Sequence, residues 1–199
     1  RHLAAPRRRG SVRLGAGPRL RRRRRACRPA APGESHLQAL YELFPLEHVK
    51  VMDEQSVYQH AFASKMGQQL DLAIQPVPTY REAVQDVDIV VTATTGHGSF
   101  VQASWLRPGT TVLKVGSHRE LASSLLHQLD KIVVDSWQHT ARSAPEIREM
   151  QLRRDAIHAE LPEIVLHQKE GRQKPSERIL FISLGMAIED AGAAYVFER

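Results

Sequence analysis

Cysteine is almost missing from this chain. Cys27 is the only one in 199 residues, which excludes an internal disulfide and favours no particular metal site. The histidines do not make up for it, because His127, His158 and His167 sit in helix-like or loop surroundings without paired ligand spacing, and no metal is expected. No apolar stretch reaches the roughly 18 residues that a membrane-spanning helix needs, so no membrane span is expected and a cytoplasmic setting is the default. Acidic and aromatic residues are wholly lacking from residues 1–33.

That last absence explains the charge. The chain carries a formal +6, but 12 of its 28 basic residues are arginines within residues 1–33, so residues 34–199 hold 16 basic against 22 acidic residues, a net of −6. The Arg-rich head uses nine residue types and cannot bury enough apolar surface to order itself. As a nucleic-acid arm it has phosphate-neutralising charge but no interleaved aromatics for base stacking and no reading motif, so no nucleic acid is expected as partner. As a transit peptide it has the arginines, yet the run 21–25 breaks any amphipathic face. The favoured reading is a segment translated out of frame from a GC-rich gene: all nine residue types have G- and C-rich codons, and the chain begins with Arg1. Residues 1–33 are therefore set apart, as disordered or out of frame, from a domain spanning 34–199.

Within that domain, apolar runs recur at 48–52, 70–74, 88–92, 111–115, 131–134 and 179–183. Most are separated by stretches with helical character at 54–69, 80–84, 121–129 and 155–165, where Pro162 would kink the helix or start a new turn. A further helix is expected at 186–197. This alternation predicts an α/β domain with a doubly wound, mostly parallel sheet of Rossmann type. A run such as Ile89 to Val91 lacks polar alternation and suits a strand covered on both faces. Thr92, Thr94 and Thr95 then bring hydroxyls to its carboxyl end, where ligands bind in such sheets.

Seven segments in order carry a resemblance: SHLQAL at 35–40, AVQDVDIVVTATT at 83–95, WLRPGT at 105–110, VGS at 115–117, VVDS at 133–136, AELPEIV at 159–165 and SLGMAIED at 183–190. From about residue 34 onward the chain resembles the nucleotide-binding part of the ornithine cyclodeaminase and mu-crystallin family. The resemblance implies NAD as cofactor, with NADP less favoured, an amino acid or its imine as substrate, hydride transfer at the α-carbon, and a homodimer in a full-length protein. The outcome would be deaminating cyclisation, imine reduction or amino-acid dehydrogenation. Mu-crystallin-like members also bind small ligands, so a non-catalytic ligand- or nucleotide-binding remnant stays open, as does a dehydrogenase of amino-acid-derived siderophore precursors.

The chain departs from the family at the glycine-rich turn, Gly-x-Gly-x-Gln, expected a few residues before His36. Gly15-Ala-Gly17 lies too far upstream and is followed by Pro18 and arginines, while Pro32-Gly33 does not match. The family's N-terminal substrate portion is also missing from this sequence, so the chain reads as a fragment whose enzymatic status is open.

Asp53 follows the second apolar run, where a carboxylate can accept hydrogen bonds from a ribose diol and disfavour a 2′-phosphate; it could equally interact with a helix dipole. Thr94 and Thr95 line the crevice or cap a turn. The resemblance sets Val115, Gly116 and Ser117 beside the nicotinamide, with Ser183 and Gly185 near the same end and Asp135 and Ser136 close to the cofactor; Asp135 could instead cap a helix. His118 stands where cyclodeaminases carry a proton-transferring aspartate. Histidine can act as acid or base near neutral pH, and the exchange points away from ornithine cyclodeamination; an exposed loop histidine is the plain alternative. VDSWQH at 134–139 also leans toward a substrate other than ornithine.

Overall fold

Runs without polar alternation require cover on both faces, and the computed structural model, which describes residues 12–16, 32–94 and 98–185, provides it. Eight strands form one sheet: β1 (Val12–Ala16), β2 (Leu46–Val51), β3 (Ile74–Pro76), β4 (Ile89–Thr92), β5 (Thr111–Lys114), β6 (Lys131–Val134), β7 (Ala159–Glu160) and β8 (Ile179–Ile182). Their spatial order is β3-β2-β1-β4-β5-β8-β6-β7, and every pairing between them is parallel. The connections carry α1 (Pro32–Leu43), α2 (Ser56–Leu70), α3 (Tyr80–Val84), α4 (Ser123–Leu126), α5 (Trp137–Ser143), α6 (Pro145–Glu149) and α7 (Leu161–Val165).

Strand β4 shows why the sheet is doubly wound. Ile89 and Val91 join one core with Leu37 and Leu40 of α1, Val49 of β2, and Met66 and Leu70 of α2. Val90 points into the other, with Val112, Leu125, Ile132, Ile147 and Leu180. Successive side chains of a strand alternate faces, so a stretch that feeds two cores, as Ile89 to Val91 does, is apolar at every position. Fully burying each such side chain stabilises the fold by about 1.5–3 kcal/mol.

Four of the six expected runs contain the strands β4, β5, β6 and β8, the run at 48–52 overlaps β2, which starts earlier at Leu46, and α3 covers the expected 80–84. Its first turn is closed reciprocally: the Glu82 amide donates to Thr79 Oγ1 at 3.2 Å, and that hydroxyl donates to Glu82 Oε1 at 2.8 Å. The run at 70–74 requires correction. Helix α2 continues past Gly67 to Leu70, Asp71 closes it in the left-handed region at φ 49°, and the strand starts only at Ile74. Aspartate tolerates that conformation, so no glycine was needed to end the helix. The expected helix at 155–165 is divided into a 3-10 turn at Arg154–Ala156, edge strand β7 and α7. Pro162 lies in the first turn of α7, where its missing N–H costs nothing, and Glu160 and Glu163 form a capping box. The 121–129 segment contracts to α4. The helix expected at 186–197 lies outside the described residues.

Strand β1 was not expected. Val12–Ala16 belongs to the head that composition marked as unable to order itself, yet it pairs with both β2 and β4 at the centre of the sheet. Backbone pairing on two sides supplies the stabilisation that local composition does not.

At the amino-terminal end of β6, Lys131 holds the 171–177 loop. Its ammonium donates to the Gln173 side chain at 3.0 Å and lies 3.2 Å from Glu177, with both charged side chains over 90% buried. The amide of Gln173 donating to Glu177 at 2.8 Å is the main cause that lowers this carboxyl's pKa below its ordinary value, reinforced by Lys131. A carboxyl lowered on folding stabilises the protein above its unfolded value, roughly 4.3, and that stabilisation disappears as pH falls through the folded value. Wild type should therefore exceed Glu177→Gln in urea midpoint at pH 6, and the gap should close below about pH 4, as followed by circular dichroism at each pH.

Candidate functional site

A parallel sheet delivers all its strand ends to one edge, and that edge collects the residues singled out in the sequence. From β1 the chain proceeds outward through β2 and β3, then returns to β4 on the other side of β1. The ends of β1 and β4 thus form the switch point of the sheet, where diverging loops leave a crevice. Ala16 stands opposite Val91 there, and Gly15 opposite Val90. Gly15 and Ala16 thus lie at the end of the central strand, while α1 starts only at Pro32, so the glycines stand well upstream of the helix start. Gly17 itself and Thr95 lie outside the described residues.

Asp53 follows β2 on this edge. Its Oδ1 accepts the Gln55 amide at 2.8 Å, and its own amide donates to Gln59 at 3.0 Å, so the turn presents a half-buried carboxylate. Beside it, the Tyr80 hydroxyl donates to Glu54 at 3.1 Å, and its ring stacks on Phe100 with centroids 4.5 Å apart. Burial, followed by the Glu54 and Asp53 carboxylates, raises the Tyr80 pKa well above its ordinary value, keeping the phenol a donor.

Thr94 follows β4. It is 2% exposed, and its Oγ1 is buried without a hydrogen-bond partner. A buried hydroxyl is rarely left unsatisfied, so this atom, at the switch point, suits a bound polar ligand. After β5, Val115 donates its amide to Thr92 O at 2.9 Å, Gly116 is buried, Ser117 is exposed, and His118 is half-buried. Gly116 has an internal reason to be glycine: a Cβ there would fall 2.2 Å from Glu120 Oε1 and 2.9 Å from Thr94 O. After β8, the Ser183 amide donates to Lys114 O at 2.9 Å, and Gly185 takes φ 81°, in keeping with a tight turn.

Asp135 follows β6 and is 1% exposed. One oxygen accepts the Ser136 amide at 2.7 Å and the Thr140 hydroxyl at 2.9 Å, while the other accepts the Leu184 amide at 2.7 Å. The carboxylate is thus occupied by the protein. It joins the β6 end, α5 and the β8 end, which sets Ser136 and Ser183–Gly185 in place and makes Asp135 a holder of the edge.

Sequence reasoning missed a buried set beneath the crevice. Lys114 and Glu120 are 0% exposed and Glu146 is 3% exposed, with the Lys114 ammonium 3.5 Å from Glu146 and donating to Gly116 O. A lysine terminating an otherwise apolar strand was the available signal, since a buried ammonium demands a partner. Among the described residues, no group of three or more His, Cys, Asp and Glu side chains could hold a metal ion, and no helix is long and apolar enough to cross a membrane.

Residues 29–199 match the model of the Ornithine cyclodeaminase/mu-crystallin family. The chain is 30% identical over 169 residues to N-((2S)-2-amino-2-carboxyethyl)-L-glutamate dehydrogenase of Staphylococcus aureus, covering 82% of this chain and 50% of that protein. The solved structure of Thermococcus litoralis Δ1-pyrroline-2-carboxylate reductase with NADH and L-proline is similar at a TM-score of 0.80 and 32% identity, over 92% of this chain and 56% of that one. An archaeal alanine dehydrogenase dimer with bound NAD is similar at 0.79 and 26%, over 95% and 57%. The chain spans about half the length of the curated relatives it matches. The fold is thereby Rossmann-type.

The Asp135 geometry yields a prediction. Asparagine offers one acceptor oxygen where two are used, and loss of a buried hydrogen bond to a charged group costs about 1.5–3 kcal/mol. Asp135→Asn should lower unfolding free energy by about that amount in urea titrations, and Thr140→Val by about 1 kcal/mol.

Proposed function

The chain belongs to the ornithine cyclodeaminase/mu-crystallin family, and from that premise we propose that residues 34–199, together with strand β1, form the dinucleotide-binding domain of an enzyme that transfers hydride at the α-carbon of an amino acid or its imine. The observation that carries this reading is the unsatisfied, buried Thr94 hydroxyl at the switch point, flanked by the Asp53 turn on one side and the Gly116 and Gly185 turns on the other. NAD is the cofactor proposed, and it supplies a hydride acceptor or donor at nicotinamide C4.

The chain's own groups divide the work by position. Asp53 accepts hydrogen bonds from the ribose diol, and with Glu54 beside it presents two carboxylates that repel a 2′-phosphate. Thr94 and Thr95 hydrogen-bond the nucleotide within the crevice. Val115, Gly116 and Ser117 after β5, with Ser183 and Gly185 after β8, form the nicotinamide end. Ser136 adds a hydroxyl held in place through Asp135. His118 serves as acid or base: in dehydrogenation the α-hydrogen departs as hydride and the amine proton passes to the imidazole, and imine reduction runs the same transfers in reverse.

Support for oxidoreduction comes from the relatives described above, namely an amino-acid dehydrogenase, an imine reductase carrying NADH and L-proline, and an alanine dehydrogenase dimer carrying NAD. A cytoplasmic homodimer in the full-length protein belongs to the same reading. Residues 17–31 stand between β1 and α1, where a helix would follow the glycines at once in a standard cradle, and this favours as a second reading a remnant that binds the nucleotide without turnover.

Titrating the 199-residue chain with NADH and NADPH by fluorescence tests the reading. NADH should bind more tightly, and Thr94→Val should weaken it by about fivefold, near 1 kcal/mol. Asp53→Ser should shift the NADH-to-NADPH affinity ratio toward NADPH by about tenfold. Absence of binding by either dinucleotide would overturn it.

A further inference from the structure

The loop that leaves β4 is held at both ends by a single residue. Glu120, fully buried, accepts the Thr92 hydroxyl at 2.6 Å on Oε2 and the Thr94 amide at 2.7 Å on Oε1, gripping the loop where it departs. Its main-chain carbonyl accepts the Phe100 amide at 3.1 Å and the Val101 amide at 3.2 Å, gripping the same loop where it returns. Val101 and Leu121 form a parallel bridge immediately beyond, and the Gly98 amide donates to Arg119 O at 3.2 Å.

Residue 120 is in turn fixed from beneath. Its amide donates to Glu146 Oε1 at 3.0 Å, and the buried Lys114 ammonium lies 3.5 Å from the other Glu146 oxygen. Gly116 completes the arrangement, because the Glu120 carboxylate occupies the space that any Cβ at 116 would fill. The hydrogen bonds to charged groups here are each worth more than neutral ones, and none is exposed to water that could replace it.

We propose that Glu120 is a positioning residue, whose carboxylate and carbonyl together clamp the β4 loop against the β5 turn and thereby fix Thr94 for the dinucleotide. The clamp acts through Thr94 and Gly116, without itself touching the cofactor. Its binding consequence rests on the dinucleotide reading given above, whereas the clamp can be measured without any ligand. In this arrangement Gly116 and Glu120 form one unit: removing the carboxylate or displacing it with a methyl group loosens both flanks of the loop together.

Hydrogen-exchange mass spectrometry of the 199-residue chain, combined with NADH titration, tests this. In Glu120→Ala and in Gly116→Ala, peptides covering 92–94 and 98–101 should exchange about tenfold faster in parallel, while peptides from β6 and β8 keep wild-type protection. Glu120→Gln retains an acceptor for the Thr94 amide and a donor for the Thr92 hydroxyl, so it should restore protection and keep the NADH dissociation constant within about threefold of wild type. Leu125→Ala, a buried truncation of the adjacent helix, is the stability control: it should lower the melting temperature without selectively exposing the two flanks. Thr92→Val removes a single anchor and gives the same test with a milder change if Glu120→Ala does not fold. Flanks that stay protected in Glu120→Ala, or a glutamine variant no better than alanine, would overturn the clamp. Wild type failing to bind NADH would defeat the dinucleotide reading alone, and the exchange result would still decide the clamp.

Discussion

Two-sided burial of β4 is the constraint on which the rest of the structure depends. Ile89 and Val91 feed one core and Val90 the other, so helices must cover both faces of the sheet. Helical crossovers on both faces go with parallel strands, and parallel strands place every carboxyl end at one edge. The gathering of Asp53, Thr94, Gly116, Ser136 and Ser183 along that edge follows from three consecutive apolar side chains in one strand.

Aligning strand ends does not by itself shape a site, because the loops beyond them are free to wander. Here they are tethered by buried carboxylates. Asp135 joins the β6 and β8 ends, and Glu120 joins the β4 and β5 ends, each through hydrogen bonds to amides and hydroxyls. Burying such charges is costly, and these hydrogen bonds offset the cost only while every partner stays in place. That requirement gives the edge its rigidity, and it also explains why Gly116 has no room for a side chain. A preorganised wall loses less entropy on binding, which is how an internal carboxylate contributes to ligand affinity.

Much of this was legible in the residues. The runs at 88–92 and 131–134 gave strands buried along their whole length, and those at 111–115 and 179–183 gave strands whose second face is half-buried, because cover on both faces favours apolar residues at successive positions. The hydroxyl-rich ends gave the candidate edge because parallel strands deliver their carboxyl ends to one side. Three features were not legible. Strand β1 owes its place to pairing on both sides, which composition around Val12 does not report. The end of α2 at Asp71 relies on a left-handed aspartate, which the sequence marks less plainly than a glycine would. The Lys114–Glu146 pair and the Glu120 clamp join residues distant in sequence, and only the fold brings them within reach. Asp135 was legible as an important position, but its partners were not: its oxygens are directed at the protein's own amides.

On the proposed reading, the carboxyl edge between β1 and β4 is a dinucleotide crevice. The most direct measurement is a crystal structure of the chain grown with NADH. Density should lie across the ends of β1 and β4, with a ribose against Asp53, a hydrogen bond to Thr94 Oγ1, and the nicotinamide toward Gly116 and Ser183. A nucleotide bound elsewhere on the molecule, with the Thr94 hydroxyl still without a partner, would contradict it.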